Sequence, residues 1–271
     1  MTLRIVQNCF RVEQLAECTF EPYLNAVPLE PDERYLFFES SVISTLVLND
    51  WHAECDHFGV LGYRWRAKLH EAKSWTLPLR NLSRGTLTPD SLIRFVIDNP
   101  DADFLSLGRF MPHPVFRVAE NCHRGFMEAT GRLLDSLGVR FDLRHTVANP
   151  IYFNAFIGTR SAIDAYVKDL LAPAIHAATH DPELRRLCLR DAGYFRPFPG
   201  TLGRLYGINH YPLHPFIGER LINVHTVLSG SRVVSFDGGG PDGLVSRTAT
   251  SLRRCIAAIR GRLRALRRSP R

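Results

Sequence analysis

The sequence predicts an α/β layered domain. Three observations predict it. Strand-like apolar runs alternate with segments of helical period. Several of those segments carry helix start and stop signals. The 271 residues, 45% hydrophobic and 23% charged, suffice for one substantial core.

The elements follow in order. "LRIVQNCF" reads as a first strand, apolar at Leu3, Ile5 and Val6. A Pro-containing, loop-like segment runs from Glu21 to Glu33. "RYLFFESSVISTLVLND" predicts a short strand at Tyr35–Phe38, then a helix to Asp50. "DHFGVLGYRW" is the next strand, and Gly59 and Gly62 would allow a bulge in it. In "LTPDSLIRFVIDNP", Thr88 caps a helix with Pro89 at its first position, and Asn99-Pro100 stops it. "DFLSL" is a short buried strand. "RGFMEATGRLLDSLG" is a helix ending at Gly138. "NPIYFNAFIGTR" is a strand entering a turn. Ser161 with Asp164 then suggests a capping box for a helix that Pro173 would kink. Residues 180–213 read as irregular. "HPFIGERLINVHTVL" is a helix and "RVVSF" a last strand. The domain is expected to span residues 1–237, with a flexible linker over 238–250 and a basic amphipathic helix over 251–271.

The formal net charge is +7, yet residues 251–271 hold eight arginines and no acid, so the remaining 250 residues sum to −1. A near-neutral body argues against a protein that coats nucleic acid. The six cysteines, at 9, 18, 55, 122, 188 and 255, form no CxxC pair. A reducing, cytoplasmic setting is the expectation. "MTLRIVQNCF" has no apolar signal core, and no run approaches a membrane span.

Several stretches carry candidate chemistry. "FGVLGYRWRAKL" runs a buried strand into Tyr63, Arg64, Trp65, Arg66 and Lys68. Ligands of open α/β sheets gather beyond the carboxyl ends of strands. Guanidinium groups there can bind phosphate with paired hydrogen bonds, and rings can stack on a base. The alternative is a solvated basic loop. Asp101-Ala102-Asp103 resembles the pair with which sugar-nucleotide transferases hold Mg²⁺ or Mn²⁺. Here the pair precedes its strand, which suits a turn equally well. Asn154, among apolar residues at the end of a strand, needs partners. They are a sugar hydroxyl or a neighbouring loop. His113 is a second candidate for the acceptor or sugar. Glu219 begins the late helix and is a candidate general base, beside Arg220 as a phosphate ligand. A structural ion pair is the alternative. Asp103 is a second candidate catalytic carboxylate. "HAECDH" has the composition of a metal site without its spacing. The sequence contains no GxxxxGK[ST] or GxSxG.

In the tail, Leu252, Cys255, Ile256, Ile259, Leu263 and Leu266 share one side of a helix. Arg253, Arg254, Arg260, Arg262, Arg264, Arg267 and Arg268 crowd the rest. Such a helix suits an anionic membrane surface, at roughly 1 kcal/mol per arginine. Docking on the body and RNA binding are the alternatives.

Taken together, "GVLGYRWRAKL", "LIRFVIDNPDADFLSL", "HRGFMEATGRLLDSLG", "YFNAFIGTRSAIDAYV" and "FIGERLINVHTVLSGSRVVSFD" resemble, in that order, a bacterial family. It comprises glycosyltransferase-like proteins of capsule and O-antigen polysaccharide loci. The resemblance spans roughly Leu3 to Asp237. Its most specific piece is Glu219-Arg220-Leu221, followed by the strand exit with Arg64 and Lys68. It implies a single GT-A-like domain with a mixed, mainly parallel sheet flanked by helices. It also implies a nucleotide-sugar donor and a growing glycan as acceptor, and the transferase expected from it would work at the inner face of the membrane, where lipid-linked acceptors are held. Residues 180–213 and the arginine-rich tail have no counterpart in it. The other function class is a catalytically silent carbohydrate-binding or scaffold protein of the same fold. Neither expects nucleic acid as a partner.

Overall fold

The structure is a computed structural model that describes residues 1–25, 37–65, 88–108, 112–194, 203 and 206–236. Its centre is a mixed six-stranded sheet in the order β2-β1-β3-β5-β4-β6, flanked by helices. The strands are β1 (Leu3–Cys9), β2 (Glu21–Leu24), β3 (His57–Gly62), β4 (Phe104–Ser106), β5 (Phe156–Thr159) and β6 (Val233–Ser235). The pairs β1–β2, β1–β3 and β4–β6 are parallel, whereas β5 runs against both β3 and β4.

This topology defines two edges. At the carboxyl edge Asn8 lies level with Gly62, and Ser106 lies level with Phe156 and Ser235. At the amino edge Leu3 lies level with His57, and Phe104 with Val233. β3 is buried at all six positions, as a strand covered on both faces must be. It pairs with β1 without interruption, so there is no bulge. Gly59 instead admits a close neighbour: a Cβ there would lie 3.0 Å from the Phe156 carbonyl oxygen.

The helices are α1 (Glu39–Leu48), α2 (Pro89–Ile97), α3 (Val115–Cys122), α4 (Phe126–Ser136), α5 (Arg160–Tyr166), α6 (Ala172–His180), α7 (Pro182–Cys188) and α8 (His214–Ser229). Thr88 caps α2 as expected, accepting a 3.2 Å hydrogen bond from the Ser91 N–H. Phe104, Phe156 and Tyr166 are buried to within 1% and stack edge-on through the middle of the core, with ring centres 5.8 and 6.2 Å apart.

Several local expectations are corrected. Glu21–Leu24 is a strand rather than a loop. It lies at the sheet edge, where Pro22 costs no central hydrogen bond. Phe37 and Phe38 are a turn at φ 71° and 47°, not the end of a strand, and their rings pack on His214. Tyr35 lies outside the described residues. Thr159, not Ser161, caps α5, and Asp164 turns aside to His52 and Lys168. A π-turn at Val167–Leu171 joins α5 to α6, with the Ala172 N–H reaching the Val167 oxygen, and so accommodates Pro173. The segment read as irregular from residue 180 begins with α7. Asp181 caps it through hydrogen bonds of 2.8 and 3.1 Å.

Among the described residues no helix is long and apolar enough to cross a membrane. The linker and the basic helix expected from residue 238 onward lie outside the described residues.

Candidate functional site

The carboxyl edge collects buried polar groups. Near the end of β1, Gln7 accepts hydrogen bonds from the Thr19 and Phe20 N–H groups at 2.9 and 3.3 Å. It donates to the Tyr63 carbonyl at 3.2 Å. The loop between β1 and β2 is thereby tied to the exit of β3. Asn8 points to the opposite face of the sheet. It is wholly buried, and neither atom of its amide has a partner among the described residues. A buried amide left so costs about 1–3 kcal/mol.

On that same face lies the first turn of α1. The Glu39 carboxylate packs against Gly62 so closely that a Cβ at Gly62 would overlap Oε1. Its position in the first turn places negative charge at the positive end of the helix dipole. The next residue, Ser40, accepts a 3.1 Å hydrogen bond from Asn154 Nδ2. That bond joins two strained turns, for Phe153 and Asn154 have φ of 60° and 52°. Non-glycine residues in this region cost of order 1–3 kcal/mol each, and they cluster at functional sites.

The first turns of α8 complete the edge. His214 is wholly buried, and its Nδ1 accepts the Phe37 N–H at 3.0 Å. Burial drives its pKa down to about 3, so the ring is neutral. One turn on, Gly218 leaves room for Phe37 and Ser40. Glu219 Oε2 stands 3.6 Å from Arg220 Nη1, which also donates to the Phe216 carbonyl at 3.0 Å. The guanidinium lies 5.5 Å from the ring centres of both Phe126 and Tyr152. Tyr152 stacks on His113 and hydrogen-bonds its Nε2. Burial pushes the Tyr152 hydroxyl up to about 12, against a smaller opposing pull from Arg220, and it stays protonated. Asn223 clamps this turn by exchanging two 2.8 Å hydrogen bonds with the Ile151 backbone.

His113, Asn154, Glu219 and Arg220, far apart in sequence, therefore meet at one edge. Tyr63 and Arg64 leave β3 at that edge, half-buried and exposed respectively. Glu39 and Ser40 bridge the two groups, since they touch Gly62 and Gly218. Arg66, Lys68 and the arginines of the tail lie outside the described residues.

Two expectations are corrected. Arg220, read as a phosphate ligand, is only 8% exposed and is pinned between rings beside Glu219. It holds that carboxylate rather than facing a ligand. Asn154 precedes its strand instead of ending it.

Asp101 and Asp103, the candidate metal and catalytic pair, lie at the amino edge, about 10 Å away along β4. Asp103 accepts the Arg232 N–H at 2.7 Å, and its backbone carbonyl accepts the Thr159 N–H at 2.9 Å. Asp101 stands 3.4 Å from the Arg232 guanidinium. These carboxylates tie down the turn into β6 and do not fit an Mg²⁺ or Mn²⁺ that would serve the carboxyl edge. Three residues of "HAECDH" are likewise held in structural contacts. His52 pairs with Asp164, Cys55 donates to the His52 carbonyl, and Asp56 accepts from Thr2. Among the described residues, no three His, Cys, Asp or Glu side chains group to hold a metal.

Sequence reasoning missed Asn8, Glu39, Ser40 and His214. A polar Gln-Asn pair closing an apolar strand was the one local signal. Comparison of the chain with known protein families, curated proteins and solved structures finds no match.

Proposed function

We propose that this chain is a glycosyltransferase of GT-A-like fold. It would move a sugar from a nucleotide-sugar donor to a glycan or lipid-linked acceptor in surface polysaccharide synthesis. One observation carries the reading: Glu39, Asn154 and Glu219 converge at the carboxyl edge, beside the strand exit that bears Arg64. A mixed sheet with one reversed strand agrees with the fold expected from the resemblance.

In this reading the acceptor hydroxyl attacks the anomeric carbon. The bond from that carbon to the donor phosphate oxygen breaks, and Glu219 takes the hydroxyl proton. The Glu219 side chain, 14% exposed, reaches solvent, while Arg220 beneath it fixes its position. Arg64, with Arg66 and Lys68 further along, neutralises the departing diphosphate. Asn154 and His113 are the candidates for holding sugar hydroxyls. No step is assigned to a metal, because Asp101 and Asp103 serve the other edge. The basic tail would hold the domain against an anionic inner-membrane surface.

The test is release of nucleoside diphosphate from a panel of nucleotide sugars, with donor binding followed by calorimetry. The wild type should turn over at least one donor slowly. Glu219→Gln should lower that rate roughly 10²–10⁴-fold and leave donor affinity intact. Arg64→Ala with Arg66→Ala should abolish donor binding. Donor binding without turnover would move the reading to a silent carbohydrate-binding protein. Neither binding nor turnover would end it.

A further inference from the structure

Cys9 closes β1, and the 3-10 turn Val12–Glu17 brings Cys18 back upon it. The two sulfur atoms stand 3.1 Å apart, and both residues are free thiols. Both ends of the loop are anchored. Cys9 sits level with Leu24 across the β1–β2 pair, and its carbonyl accepts the Asn25 N–H at 2.7 Å. Inside the loop, Gln14 Oε1 accepts the N–H groups of Phe10 and Arg11 at 2.7 and 3.2 Å. The Cys18 thiol donates to the Gln14 carbonyl at 3.4 Å. The contact is therefore held by the fold. Among the described residues, no other pair of cysteines is in sulfur contact.

The two thiols differ in access. Cys9 is wholly buried, whereas Cys18 is half-exposed. Burial first, and then the hydrogen bond with Cys18, hold the Cys9 thiol well above its ordinary pKa. Thiolate character and exposure select the thiol that an oxidant reaches. That thiol here is Cys18, and Cys9 is placed to resolve it.

We propose that Cys9 and Cys18 are a modification site, a pair that closes to a reversible disulfide when Cys18 meets a peroxide. The Cys18 sulfur attacks one peroxide oxygen and the O–O bond breaks. The products are a sulfenic acid on Cys18 and, with the displaced proton, one water. The Cys9 sulfur then attacks the Cys18 sulfur. The S–S bond forms, the S–O bond breaks, and a second water leaves with the Cys9 proton. Two thiols lose two electrons, and one hydrogen peroxide is reduced to two waters. A dithiol reductant reverses the change. The bridge would clamp the loop that Gln7 ties to Tyr63 through Thr19 and Phe20. The site does not depend on the proposed sugar transfer.

The experiment uses the full chain, reduced and then treated with hydrogen peroxide, alkylated and digested with trypsin. Arg11 lies between the two cysteines, so digestion separates Ile5–Arg11 from Val12–Arg34 unless the bridge holds them. The expected result is a linked pair of these peptides, lighter by two hydrogens than their sum. Alkylation of Cys9 and Cys18 should be lost together and regained with dithiothreitol. In Cys18→Ser, Cys9 should keep its thiol under the same dose. Three results would overturn the proposal: Cys18 passing to sulfinic acid with Cys9 still reduced, Cys18 linked instead to the exposed Cys122, or both thiols surviving peroxide unchanged.

Discussion

At the amino edge of the sheet, polar side chains are spent on closing turns: Asp56 takes the Thr2 N–H at 2.7 Å, and Asp103 takes that of Arg232 at the same distance. Most of these groups reach water, although His57 is buried with neither ring nitrogen partnered among the described residues, and Asp50 holds φ 60°. At the carboxyl edge the polar groups are buried, and the backbone is strained. Asn8, His214 and Arg220 each keep a polar atom with no partner among the described residues, and Phe37, Phe38, Phe153 and Asn154 hold positive φ. A chain gains no stability from such an arrangement. Its concentration at the carboxyl edge, where four strained residues and three under-partnered side chains gather, separates a site from a scaffold.

The largest test sets two glycines against each other, one from each region. A Cβ at Gly218, by the carboxyl edge, would meet Phe37 Cδ1 at 2.7 Å and Ser40 Oγ at 2.8 Å. A Cβ at Gly158, in the core strand β5, would meet Ile163 Cγ1 at 2.7 Å and Phe104 Cδ1 at 2.9 Å. Each alanine should cost about 1–3 kcal/mol by overpacking, read from denaturant midpoints. Only Gly218→Ala displaces Phe37 and Ser40, so only it should also weaken donor binding when the folded fractions are matched. Equal loss of binding in the two variants would dissolve the contrast.

Next in size is an acid dependence. His214 has a folded pKa of about 3 against an ordinary 6.5, because burial forbids its charge. The unfolded chain takes up that proton first. The contribution of the neutral ring is therefore fully present above pH 6.5 and falls as the pH drops toward 3. The slope is about 1.4 kcal/mol per pH unit for one proton. His57, His123 and His225 are also held low by burial and add to the wild-type slope. His214→Asn keeps an acceptor for the Phe37 N–H and cannot titrate. It should reduce the slope of unfolding free energy between pH 6.5 and 5 by one proton. A slope equal to the wild type would mean that His214 charges without unfolding the edge.

The two regions also differ in how far they can be read from sequence. The regular parts are local. Thr88 and Pro89 announce α2, apolar spacing from Ile217 to Val224 announces α8, and continuous burial of His57–Gly62 matches an apolar run. The strand at Glu21–Leu24 was hidden because its identity comes from the backbone of β1 and not from its own acid and proline. The carboxyl edge was legible only in pieces. Glu219, Arg220, Asn154 and Arg64 stood out as polar groups beside apolar runs. What joins them is non-local: Ser40 meets Asn154 across 114 residues, and His214 meets Phe37 across 177. No local pattern encodes such pairings. The same limit made Asp101 and Asp103 look like a metal pair, since their partner Arg232 lies about 130 residues away.

The smallest effect sharpens the amino edge. Asp103→Ala removes the acceptor of the Arg232 N–H, while the backbone bonds of Asp103 with Thr159 and Arg232 remain. The lost bond is charge-assisted but lies where water can replace it. The expected cost is about 1 kcal/mol of stability. Donor turnover at matched folded fraction should not change, with or without added Mg²⁺ or Mn²⁺. If this one substitution instead abolished turnover while the melting temperature held, the amino edge would be taking part in the chemistry. The division between scaffold and site would then have to be redrawn along β4.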